Sequence, residues 1–176
     1  MKKIFAMMLA LVMMFSLVAC GGTTTEPTTT PTEATVKVEG TMEELLNKVV
    51  EIQPVEFMGG TMPIDLTDLD GLKYNVGLDT ADGITEAAMF GPMMGSIAYS
   101  MVMVRTAEGA DVKAIAEGMK NGIDTRKWIC VEADDLQVVS YGDVVMLIMV
   151  ASDNGMTSQS FVDAFAQVCG GEVTVY

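Results

Sequence analysis

Apolar residues recur with a helical rhythm at three places along the chain and form unbroken runs at two others. Met42, Leu45, Leu46, Val49 and Val50 follow at the spacing of one helix face, since residues three and four apart stack above one another on a helix. Thr41 and Glu44 precede that face as a capping box, in which each side chain takes a backbone N–H at the helix start. Pro54 bounds the helix. Val112, Ile115, Ala116 and Met119 repeat the rhythm within 110–121, with Gly122 placed at the C′ position. Thr157 caps a third helix through Val168, with Met156 and Phe161 as a hydrophobic staple and Gly170 as terminator. Between the first two helices, residues 55–83 are rich in Asp, Gly and Pro and read mostly as loop. Ile84 to Phe90 fits a helical turn or a strand, broken by Gly91-Pro92.

The unbroken runs are strands. Ser96 to Arg105 and Asp143 to Ala151 are nearly all apolar, whereas Leu136 to Tyr141 alternates weakly. Gly142-Asp143 joins the last two tightly, as a hairpin requires. Glu172 to Tyr176 closes as a short strand. The order from about residue 96 to 176 is therefore βαββαβ, which predicts an α+β protein with a ferredoxin-like core. Such a sheet puts its first and third strands in the centre and its second and fourth at the edges. The two apolar runs are the first and third. One face of the first strand carries Ala98, Val102 and Val104, the other Ile97, Tyr99, Met101 and Met103. A strand apolar on both sides is usually covered on both. The N-terminal helix and parts of 55–95 are the expected cover, and a homodimer packing sheet to sheet is the competing one.

The chain begins differently. Lys2 and Lys3 precede the apolar run Ile4 to Phe15, and small residues and a cysteine follow. This is the layout of a secretory leader. The run falls short of the roughly 20 apolar residues of a spanning helix. Leu17-Val18-Ala19-Cys20, followed by Gly21-Gly22, resembles the lipobox of bacterial lipoproteins. That resemblance implies cleavage before Cys20 and a diacylglycerol on its sulfur, and two acyl chains suffice for stable anchoring. Gly21 to Thr35 holds many threonines and not one large apolar residue, so burial cannot offset its ordering entropy. The expected organisation is a signal peptide at 1–19, a lipidated cysteine with a disordered Thr/Pro tether at 20–35, and one α+β domain at 36–176.

Trp128-Ile129-Cys130-Val131, the strand Val144 to Met149 and its partner, the lead-in Gly95-Ser96-Ile97-Ala98 and the lipobox carry a wider likeness. Together they resemble a family of small lipoproteins of Gram-positive anaerobes whose domain has no assigned function. The resemblance covers about half of the mature chain. It implies a lipid-anchored protein on the extracytoplasmic face of the cell membrane and brings no catalytic residues with it.

Composition narrows the chemistry. The net charge is −14 with a sequence pI ≈ 4.1, which argues against nucleic-acid binding, because phosphates need clustered Lys and Arg. There is no histidine, so the commonest general base and zinc ligand are missing, with the usual serine and cysteine triads. No cofactor is expected. Cys130 and Cys169 are a candidate disulfide pair outside the cytoplasm, or two buried thiols. Met93-Met94, Met101 with Met103, and Met146 with Met149 include soft thioether ligands of the kind that select Cu(I), or simply fill core space. Asp65, Asp68, Asp70, Asp79 and Asp82 are calcium candidates. An EF-hand loop fails, because Leu66 and Gly77 stand where it needs Asp and Glu. Glu132, Asp134 and Asp135 form a second acidic cluster, in which the last two are a conceivable acid–base pair.

These readings converge on a non-catalytic binding or accessory module. Its partners are the bilayer, through Cys20, and an envelope protein or small ligand. An envelope-polymer hydrolase and a calcium-dependent binder at 65–82 are the alternatives.

Overall fold

The computed structural model describes residues 36–176. The expected leader, Cys20 and the tether lie outside the described residues. Helix α1 (Met42–Ile52) leads into strand β1 (Gly59–Pro63), helix α2 (Leu69–Val76) and strand β2 (Ile84–Pro92). Strand β3 (Tyr99–Thr106), helix α3 (Val112–Gly122), strand β4 (Asp135–Tyr141) and strand β5 (Val144–Val150) follow. A single 3-10 turn (Ser152–Asn154), helix α4 (Ser158–Cys169) and strand β6 (Thr174–Val175) complete the order. The class is α+β: all strands form one six-stranded sheet in the order β1-β2-β3-β5-β4-β6, antiparallel at every pairing. No described helix is long and apolar enough to cross a membrane.

The βαββαβ succession is present in β3 to β6, but its arrangement departs from a ferredoxin-like sheet. β3 and β5 are the innermost pair, as their apolar runs demand. β4 is not an edge strand, because β6 pairs with it and not with β3. The flank of β3 that a ferredoxin-like fourth strand would take is filled by β2, paired from Ile84 opposite Thr106 to Phe90 opposite Met101 with a register shift between Ile84 and Glu86. The N-terminal region is therefore part of the sheet. It contributes β1 where the sequence reads as loop, and β2 where the sequence fits a helical turn or a strand.

Both sheet faces are covered within one chain. α1 and α4 pack Leu46, Val49, Phe161 and Phe165 on the face that bears Tyr99, Met101, Met103 and Met146. α2 and α3 pack Leu72, Val76, Ala116 and Met119 on the face that bears Val102, Val104, Val145 and Leu147. Each face has one helix from the N-terminal part and one from the βαββαβ part, so α3 and α4 lie on opposite sides. This three-layer sandwich accounts for strands apolar on both sides without a second copy.

Local signals explain most element ends. The capping box closes as expected: Thr41 Oγ1 accepts from Glu44 N at 3.2 Å, and Glu44 Oε2 accepts from Thr41 N at 3.0 Å. Gly142 turns the β4–β5 hairpin at φ +55, and Gly170 ends α4 at φ +75. Thr157 sits at the N-cap of α4 but makes no side-chain cap bond. Asp135 caps the helix from β4 instead, accepting from Ser158 N at 2.7 Å and Ser158 Oγ at 2.5 Å. Gly122 is the last residue of α3 and not its C′ residue. Its reason is close approach: a Cβ there would lie 1.9 Å from Gly77 O.

Candidate functional site

The second face has a gap in its cover. Gly60 faces Gly91 across β1 and β2, and one step beyond the Phe90–Met101 pair Gly91 comes beside Ser100. Paired residues in neighbouring strands point to the same face. A row of two glycines and a serine therefore leaves the sheet surface bare. The walls around it are Tyr74 and Asn75 of α2, Met89 of β2, Met94, and Lys127 and Trp128 from the segment between α3 and β4. The result is a pocket of about 190 Å³.

Helix placement fixes its shape. Asp68 accepts from Gly71 N at 3.0 Å to start α2, and Gly77, at φ +88, ends it in the left-handed conformation. Glycine adopts that conformation without a Cβ clash. The Gly77 carbonyl then rests on Gly122, so the ends of α2 and α3 abut and Tyr74 is held over the bare row. Cys130, at φ +69, bends the loop beside it. Trp128 packs against the core while Ile129 stays 85% exposed.

Lys127 is the centre of the pocket. Its Nζ donates to Ser100 Oγ at 3.2 Å and to Tyr74 O at 3.4 Å. It lies 5.0 Å from the centroid of the Tyr74 ring and 5.5 Å from that of Trp128, within reach of the negative ring faces. Tyr74 Oη donates back to Lys127 O at 3.2 Å, which makes the bracket reciprocal. Among the described residues no carboxylate forms an ion pair with it. Burial pushes its pKa down to about 8, opposed by the charge of Asp124. An ammonium has three donors. Two are taken, which leaves one for a ligand.

A larger cleft of about 490 Å³ lies between the α1–β1 connection and the residues before α4. Phe57, on its wall, is stacked into an aromatic cluster with Phe90, Tyr99 and Phe161 at centroid distances of 5.0 to 6.3 Å. Among the described residues, Glu56 is the one ionisable group lining it, and that residue is exposed. Volume favours this cleft, but chemistry favours the smaller pocket.

The sequence-predicted sites are scattered or already engaged. Asp65 accepts from Thr67 N and Oγ1, bonds that hold its carboxyl below the usual carboxylate range. Asp68 caps α2, Asp70 lies in the first turn of that helix, Asp79 pairs with Lys73 at 3.0 Å, and Asp82 accepts from Thr80. Among the described residues, no three His, Cys, Asp or Glu side chains converge as metal ligands. Asp134 accepts from Ser152 Oγ at 2.6 Å and Ser152 N at 2.7 Å, which lowers its pKa, and Asp135 caps α4. Both carboxylates are engaged in structural hydrogen bonds. Glu132 pairs with Arg126 at 3.0 Å.

Cys130 and Cys169 are free thiols. Cys130 is exposed, against the expectation of a buried thiol, in the loop that packs on the second face, while Cys169 closes α4 on the first. Met101, Met103, Met146 and Met149 are fully buried core, whereas Met93 and Met94 are exposed. Sequence reasoning missed Lys127, Ser100 and Tyr74. The sequence does place Lys127 beside the chain's single tryptophan, but nothing in it points to Ser100 or Tyr74. No family model, curated protein or solved structure matches this chain.

Proposed function

We propose that this protein is a lipid-anchored, extracytoplasmic binding or accessory module, and that it holds an anionic ligand at Lys127. The anchoring half of the reading rests on the leader layout, on Cys20 in its lipobox context and on the resemblance to small Gram-positive lipoproteins. The binding half is carried by one observation. Lys127 is a partly buried cation that forms no ion pair among the described residues, and it lines a pocket. A desolvated charge without a counter-ion is costly, and an anion entering the pocket would relieve that cost.

Trp128 reports directly on the site, because it is the chain's only tryptophan and lines the pocket. Titration with sodium benzoate should change Trp128 fluorescence saturably in the wild type and leave Lys127→Met unchanged. Identical titrations of the two proteins would overturn the binding reading. For the anchor, a Cys20→Ala protein is expected to leave the membrane fraction, and one that stays there would refute lipidation.

Ser100 supports a second, hydrolytic reading. Its Oγ, 3.2 Å from Lys127 Nζ, could attack an acyl carbonyl while the neutral amine takes the hydroxyl proton and later passes it to the leaving group. Water would then release the acyl group from the serine. This reading ranks second because Ser100 is only 1% exposed. Labelling of Ser100 by a fluorophosphonate, abolished in Lys127→Met, would promote it. A protein left unlabelled ends it.

A further inference from the structure

Resting on the binding reading above, we infer that the ligand of the Lys127 pocket is a free monocarboxylate with an extended apolar body, such as a medium-chain alkanoate. Three features of the site lead there. Among the described residues, Lys127 is the only charged side chain lining the pocket, in a chain with 24 acidic residues. Its walls are otherwise aromatic, thioether, amide, hydroxyl, proline and glycine. A single ammonium with one spare donor suits one negative charge; a phosphate dianion is usually met by several donors or by an arginine fork. The rings of Tyr74 and Trp128 are already engaged by Lys127 itself, so they do not form a cage for a ligand cation.

Size and surroundings supply the apolar body. At about 190 Å³ the pocket is smaller than the roughly 300–1,000 Å³ of a drug-sized site. It houses a head group and the first carbons, and the remainder must lie across the rim. Two lining residues are apolar and open, Met94 at 62% and Tyr74 at 53% exposure, and Met93 and Ile129, next in the chain to the lining residues Met94 and Trp128, are 76% and 85% exposed. Met58, 79% exposed, continues the surface, since its carbonyl accepts from Met93 N at 3.0 Å. Flexible thioethers adapt to a chain without a fixed shape, which is their common use at binding surfaces.

The test is a chain-length series on residues 20–176 carrying Cys20→Ala, which keep every element of the domain. Acetate, butanoate, hexanoate and octanoate are titrated at pH 6.5, with octanol and phosphatidylglycerol vesicles as separate arms, by Trp128 fluorescence and calorimetry. Affinity is expected to rise along the series, by up to about fourfold for each methylene that is buried. Octanol should bind at least tenfold more weakly than octanoate. Octanoate affinity should fall as pH rises through about 8, as Lys127 gives up its charge. Gly91→Leu, whose added Cβ meets only the flexible Met89 Cε at 3.2 Å, should fill the pocket and abolish binding in a folded protein. Met94→Ser should flatten the chain-length dependence while acetate binding persists. Acetate binding as tightly as octanoate overturns the inference and leaves the anion site standing. Octanol matching octanoate, or binding to vesicles alone, also overturns it. If no carboxylate binds at all, the binding reading falls with it.

Discussion

Lys127 sets the stability of the fold against the chemistry of the pocket. Free lysine titrates near 10.5, and burial brings this one to about 8. Between those values unfolding takes up a proton, so stability rises with pH across that window. Below pH 8 both states hold the proton and the dependence vanishes. The difference in unfolding free energy between wild type and Lys127→Met, followed by urea denaturation, should therefore shift in favour of the wild type from pH 8 to pH 10.5. A constant difference would mean that the amine is solvated. The two thiols separate in the same way. Burial, with the charge of Asp143, pushes Cys169 up to about 12, while Cys130 is exposed. Iodoacetamide at pH 8 should modify Cys130 at least tenfold faster, read by peptide mass spectrometry; equal rates would refute the burial. None of this is local in the sequence. The bonds to Lys127 come from Ser100, 27 positions away, and from Tyr74, 53 positions away.

At the scale of elements, legibility followed length and periodicity. α1, α3 and α4 each have eleven or twelve residues and a full apolar face, and all are readable from spacing and caps. α2 has eight residues and β1 five, too short for a period to show against the Asp, Gly and Pro around them. Tertiary pairing makes them: β1 exists because β2 lies beside it, and α2 because Leu72 and Val76 find the second face. The joint between α2 and α3 is the part most sensitive to substitution. Gly122→Ala drives a methyl onto the Gly77 carbonyl, a backbone atom that cannot step aside. A cost of about 1–3 kcal/mol or more is expected from chemical denaturation, with altered Trp128 fluorescence because α2 carries Tyr74 into the pocket. Gly155→Ala, whose Cβ would meet nothing within 4 Å but which sits at φ +73, should cost about 1 kcal/mol through backbone strain alone and leave the fluorescence unchanged. If Gly122→Ala also leaves it unchanged, the joint does not shape the pocket.

Over the whole molecule, patterning predicted the innermost strands and two covered faces, but not which element covers which face. That choice depends on how the N-terminal part is locked to the sheet, and one arginine, at the end of β3 remote from Ser100, holds the lock. Arg105 pairs with Asp143 at 2.7 Å and Glu86 at 3.3 Å, and donates to the carbonyls of Val38 and Gly40. Asp143 also accepts from Val38 N at 2.8 Å, and Glu86 from Met42 N at 2.7 Å. The start of the domain, the first residue of α1, β2, β3 and the β4–β5 hairpin thus meet at one guanidinium. Its side chain is only 12% exposed and that of Asp143 13%, so screening is weak. Arg105→Met would strand two carboxylates, and breaking such a pair by removing one partner costs about 3–5 kcal/mol. Pairing it with Asp143→Asn removes one stranded charge, so the double variant should lose less than the sum of the two single losses. Hydrogen exchange should show early opening of residues 36–42 in Arg105→Met, while Trp128 fluorescence stays native. Additive losses, or exchange spread evenly over the sheet, would show that the arginine is not the lock.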